Sequence, residues 1–222
     1  MGRTLKLTAA DKHEFGAYRA DPSGKPKGGV VVVQEIFGVN HHIRSVCDKF
    51  AASGYIAMAP ALFDRAERGV EYGYQQADID KGLAVMRKLD LGNAMTDVKA
   101  ALAIAKEGGK VGVVGYCWGG TVSFAAACRV AGLACAVSYY GGGVGNLVGE
   151  TPKCPVMFHF GDKDQSIPMD TVEKVKQAYP AQALHVYSAG HGFNCDERGS
   201  YDADSAKLAL TRTLDFFAKH LA

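Results

Sequence analysis

A chain of 222 residues with 48% hydrophobic and 22% charged side chains has ordinary globular composition and is long enough to bury a core without disulfide or metal staples. Its formal charge of +2 comes from 25 Lys and Arg against 23 Asp and Glu with neither sign gathered into a run, which argues against a nucleic-acid partner. No stretch reaches the roughly eighteen apolar residues of a membrane span, and the opening GRTLKLTAADKHEF has no apolar segment of signal-peptide type, so a cytoplasmic chain with no membrane partner is expected. The six cysteines (Cys47, Cys117, Cys128, Cys135, Cys154, Cys195) form no CxxC pair and are read as reduced.

In chain order, Leu5–Thr8 and Glu14–Ala20 read as an antiparallel hairpin at a sheet edge. Val30–Gln34 is a short β-branched run of the buried-strand type, followed by helical spacing over His42–Ala52. A strand at Tyr55–Pro60 precedes two helices, Gln75–Lys88 and Thr96–Glu107, the second bounded by Thr96 as a start signal and Gly108-Gly109 as a stop. Strand Val111–Gly115 leads into helix Gly119–Arg129, and strands Cys135–Tyr139 and Val156–Phe160 into helix Met169–Tyr179. A last strand, Leu184–Tyr187, comes before helix Ser205–His220, whose apolar stripe is Leu210, Leu214 and Phe217. Such alternation predicts an α/β fold: one domain over residues 1–222, with a mainly parallel central sheet and helices on both faces joined by right-handed crossovers.

The stretch KVGVVGYCWGGT carries the first chemical signal. A buried strand runs into Gly115-Tyr116-Cys117-Trp118-Gly119, which is G-x-C-x-G, and then into a small-residue helix. In the serine form of this turn the nucleophile sits on a strained strand-to-helix bend, and the flanking glycines relieve crowding. A thiol there would face the positive end of the following helix, which favours a thiolate. The alternative is that Cys117 is a small buried hydrophobe in a glycine-rich turn. Two later strand ends weigh against that: Gly161-Asp162-Lys163-Asp164 follows one, and Gly190-His191-Gly192 follows the last. Nucleophile, acid and base thus occur in hydrolase order at carboxyl ends of strands, where open α/β sheets place their sites. Cys117 is the candidate nucleophile, His191 the base and Asp164 the group that orients it, with Asp162 as the rival acid.

QEIFGVN at Gln34–Asn40, GYCWGG at Gly115–Gly120, Gly161–Pro168 and Gly190–Phe193 together resemble the dienelactone hydrolase (carboxymethylenebutenolidase) family over essentially the whole chain. The resemblance implies the small, lidless α/β-hydrolase fold, a Cys117–Asp164–His191 triad and no metal or organic cofactor. It also implies that Glu35 activates the thiol and that the backbone N–H groups of Ile36 and Trp118 form the oxyanion hole. Family members acting on carboxylated lactones hold the carboxylate with two arginines. One lies ahead of the helix matching Gln75–Lys88, where this chain has Tyr72 and Tyr74 with Arg65 and Arg68 further upstream; the other lies four residues after the histidine, where it has Cys195. Arg198 comes three residues later. A tyrosine or thiol does not replace an arginine fork, so a different, neutral or aromatic, small ester or lactone is expected. Phe37, Tyr72, Tyr74, Trp118, Tyr140, Phe193 and Arg198 are the candidate substrate contacts.

Three other readings stay open. A thiol elbow could serve glutamine amidotransfer, but Phe193 stands where that chemistry places a glutamate. The chain could be a binding protein that keeps the hydrolase fold without turnover, or Cys117 could be a redox sensor resolved by Cys195. No coiled-coil seam is legible, so a monomer or weak homodimer is expected.

Overall fold

Runs such as GVVVV and VGVVGY have no polar alternation, so a strand made of them is stable only with both faces covered. In the computed structural model, which describes residues 2–222, they form the central strands β3 (Gly29–Val33) and β5 (Val111–Tyr116), every residue of which is buried. Strands β4 (Ile56–Pro60), β6 (Leu133–Tyr139), β7 (Val156–Gly161) and β8 (Ala183–Tyr187) extend the parallel sheet. The hairpin of β1 (Arg3–Thr8) and β2 (Glu14–Ala20) joins antiparallel to β4, giving the order β1-β2-β4-β3-β5-β6-β7-β8. The expected α/β architecture and its antiparallel edge are therefore present.

Among the described residues six α-helices accompany the sheet: α1 (His41–Ala52), α2 (Gln76–Met86), α3 (Leu91–Ala105), α4 (Trp118–Arg129), α5 (Met169–Ala178) and α6 (Ala203–Leu221). Two glycines show how they divide between the faces. Gly29 would direct a Cβ onto Ala105 of α3 and Gly112 one onto Phe217 of α6, and because Gly29 pairs with Val111, the neighbouring Gly112 points to the opposite side. Phe217 also meets Phe50 of α1 at 5.7 Å, while α3 packs on α4.

Two expectations need correction. Helix α3 begins at Leu91, more than a turn before Thr96, because Asp90 Oδ1 accepts from Asn93 N at 3.1 Å and caps it. Thr96 lies inside the helix, its hydroxyl donating to the Gly92 carbonyl at 3.2 Å. In α6 the buried line is Ala206, Ala209, Thr213, Phe217 and Leu221, with Leu210 and Leu214 only half-buried beside it. Thr213 holds the centre because its hydroxyl meets Tyr139 Oη at 2.6 Å and His159 Nε2 at 3.1 Å, satisfying buried polar atoms that a leucine would strand. Among the described residues, no helix is long and apolar enough to cross a membrane.

Candidate active site

Strand β5 ends at Tyr116 and α4 starts at Trp118, so one residue, Cys117, makes the whole turn. It does so at φ 56°, ψ −119°, a conformation that costs an L-residue about 1–3 kcal/mol. The flanking glycines are sterically required. A Cβ on Gly115 would fall 1.8 Å from the Gly119 carbonyl oxygen, and one on Gly119 would fall 2.4 Å from the carbonyl oxygens of Val33 and Gln34. Cys117 N donates to the Tyr139 carbonyl at 3.0 Å, which ties the turn to β6. Cys117 is half-buried, whereas the other five cysteines are buried. Burial pushes the thiols of Cys128 and Cys154 up to about 11 and that of Cys195 to about 12, so these three are neutral at physiological pH.

Asp164 leaves the end of β7 with its side chain fully buried. Its Oδ1 accepts from Ser166 N at 2.8 Å and its Oδ2 from His191 Nδ1 at 2.7 Å. Because a carboxylate only accepts, this bond places the proton on Nδ1 and leaves Nε2 as the ring atom available to Cys117. Burial of His191 opposes its charged form. The negative charge of the Cys117 sulfur, then the hydrogen bonds to Asp164 and Cys117, outweigh that and carry the imidazole up to about 10. Asp162 is exposed and lies outside this cluster.

Glu35, in the loop after β3, is 1% exposed. Its Oε1 accepts from an Arg198 guanidinium nitrogen at 3.0 Å, while its Oε2 is buried without a partner. The guanidinium lies over the rings of Phe37 and Tyr74, at 5.6 and 5.8 Å. Burial works against the charge of Arg198, and its neighbours, the Glu35 carboxylate foremost, more than offset it.

Residues 15–221 match the model of the dienelactone hydrolase family. The chain belongs to the dienelactone hydrolase family. It is 32% identical to a carboxymethylenebutenolidase of Pseudomonas putida over 96% of this chain and 95% of that one. It is 36% identical to a candidate carboxymethylenebutenolidase of Azospirillum brasilense over 98% of both. A solved structure of a candidate dienelactone hydrolase from Klebsiella pneumoniae superposes with a TM-score of 0.85 at 31% identity, covering 98% of this chain and 99% of that one.

In this member of the dienelactone hydrolase family the cluster opens into a cavity of about 580 Å³, a size suited to a small ligand. Of the expected residues, Ile36, Phe37, Cys117, Trp118, His191 and Arg198 line it. Strands β3 and β5 pair through Val33 and Gly115, three residues before Ile36 and Trp118, and neither of these two backbone N–H groups donates a hydrogen bond among the described residues. Four expected contacts lie elsewhere. Tyr72 turns away to donate to Glu67 at 2.9 Å, and Tyr74 sits edge-on behind Phe37, its hydroxyl accepting from Asn40 Nδ2 at 3.0 Å. Tyr140 and Phe193 are fully buried, supporting His191 from behind, with Tyr140 edge-on to its ring at 5.2 Å. Arg65 is bonded to buried Asp97 and Arg68 to the Glu14 carbonyl, so neither reaches the cavity. The lining residues not foreseen are Ile79, Leu83 and Met86 of α2, Thr121 of α4, and Gly142, Gly143, Ser166 and Ile167. The α2 residues have the i, i+4, i+7 spacing of an apolar face, but spacing alone does not say whether such a face meets core or cavity.

Proposed function

We propose that the protein is a thiol hydrolase of small esters or lactones that works through an acyl-enzyme on Cys117. The observation that carries this reading is the strained elbow of Cys117 beside a His191–Asp164 pair, both at the wall of a cavity of ligand size. The Cys117 thiol passes its proton to His191 Nε2 and its sulfur attacks the carbonyl carbon, and the resulting oxyanion takes hydrogen bonds from Ile36 N and Trp118 N. On collapse the carbon–oxygen bond breaks and His191 protonates the departing alkoxide, leaving a thioester. His191 then takes a proton from water as it attacks the thioester; the thiolate leaves and the carboxylic acid is released. Asp164 keeps the imidazole in the required tautomer throughout. Glu35, whose buried Oε2 has no partner, is the carboxylate that assists activation of the thiol when substrate enters.

The substrate side of the cavity is mainly aliphatic and aromatic, and its one guanidinium is already paired with Glu35. That favours a neutral ester or lactone over a carboxylated one, since recruiting Arg198 to a substrate carboxylate means sharing it with a buried anion. Hydrolysis of a p-nitrophenyl ester, a neutral lactone and a carboxylated dienelactone by the unmodified protein and by Cys117→Ala tests both points. Turnover that is lost in the variant and greatest for the neutral compounds is expected. Equal activity of the two proteins would remove Cys117 from the mechanism, and preference for the carboxylated lactone would overturn the assignment of a neutral substrate.

A further inference from the structure

Behind the guanidinium of Arg198 lies a group of side chains for which neither the fold nor the proposed hydrolysis has a full use. Glu35, His42 and Cys195 are all buried, and one ligating atom from each lies within 4.8 Å of the others. Two of these residues carry orphaned polar atoms. Glu35 Oε2 and His42 Nε2 are enclosed by protein, at 1% and 0% residue exposure, and neither has a hydrogen-bond partner. An unpaired buried acceptor forfeits its hydration without a replacement, so two in one place require a reason.

The other side of His42 supplies one. Its Nδ1 is 3.2 Å from Asp196 Oδ1, and because a carboxylate only accepts, the proton sits on Nδ1 and the lone pair on the buried Nε2. A carboxylate behind a histidine whose free nitrogen faces a thiol and a second carboxylate is the outer-shell arrangement of metal-binding histidines. We infer that Glu35, His42 and Cys195 form a binding site for a divalent transition-metal ion of the zinc or cobalt type, with a fourth position left for solvent. Bonds of about 2.0–2.3 Å to O, N and S imply ligand separations of about 3.3–3.6 Å in a tetrahedron, so the three side chains need close by up to about 1.5 Å. The thiol proton of Cys195 passes to solvent on binding, and the carboxylate and thiolate together balance the charge of the ion. Arg198 is the cation that opposes it. The guanidinium holds the other oxygen of Glu35, so ion and guanidinium share one carboxylate from opposite ends. Asp196, 45% exposed, and Glu197 adjoin His42 and mark the side from which the ion enters.

Cobalt(II) titration of the whole protein reads the site directly. One equivalent is expected to bind with a thiolate-to-cobalt charge-transfer band in the near ultraviolet, displaced by zinc. That band should persist in Cys117→Ala and vanish in Cys195→Ser. Because Cys195 is buried and its replacement can disturb folding, Asp196→Asn at the half-exposed outer-shell position is the second variant; it should keep the band but weaken cobalt affinity about 10- to 100-fold. Zinc X-ray absorption on the unmodified protein should show one sulfur among N/O ligands. Absence of the band, its loss in Cys117→Ala, or an all-N/O zinc shell overturns the site. Slower ester turnover with the metal bound is also expected, a consequence that rests on the role proposed for Glu35, whereas the spectra do not; the two can therefore fail separately.

Discussion

Asp164 and His191 are where single-residue tests are sharpest. The carboxylate of Asp164 has two jobs, accepting from Ser166 N through one oxygen and from His191 through the other. Asp164→Asn can keep the first bond and so hold the loop. What it loses is the acceptor that fixes the tautomer, and kcat is expected to fall by roughly 10³- to 10⁴-fold at nearly unchanged stability. A variant that loses stability but keeps its rate would make Asp164 a turn residue only. His191 also couples the site to pH. Its folded pKa, raised to about 10 from an ordinary value of about 6.5, stabilises the fold fully below the lower value, and that contribution disappears as pH rises through the higher one. Between those limits the urea midpoint of the unmodified protein should fall relative to that of His191→Gln. A gap between the two that stays constant with pH would show that no imidazolium is held in the native state.

Among the elements, α2 joins the fold to the site through Gly82, where a Cβ would lie 2.2 Å from the Ile36 carbonyl oxygen. Alanine in a helix interior normally gains about 1 kcal/mol over glycine. Here it must push α2 away from the loop that carries Ile36 N, and overpacking of that kind costs about 1–3 kcal/mol. Gly82→Ala is thus expected to lower the urea midpoint and to reduce kcat as the Ile36 amide shifts; a variant more stable than the parent would mean that α2 yields freely. The same contact marks the limit of what the chain discloses before folding. Strand positions were legible because β-branched runs and glycine pairs are local signals, and so was the placing of Cys117, Asp164 and His191 at the carboxyl ends of strands, because each follows a strand in sequence. That Arg198 reaches back to Glu35, or that α2 walls the cavity where Tyr72 and Tyr74 were expected, depends on contacts between distant segments that no local pattern specifies.

For the whole molecule, the distribution of cysteines turns the fold into a chemical observable. Six thiols are spread over α1, α4, β6, two loops and the elbow, and all are free. Five are enclosed, and burial keeps Cys47 and Cys135, like the other three, in the uncharged form that does not react. Only Cys117 is partly exposed, at a cavity wall beside a histidine carried to its charged form. Packing of the entire sheet, rather than any one contact, creates this contrast. Iodoacetamide should therefore label the native protein once, at Cys117, with concurrent loss of esterase activity, and the remaining thiols should react only after denaturation. Rapid labelling at Cys47 or Cys135 in the native state would mean that the layers covering the central strands open far more readily than their burial implies.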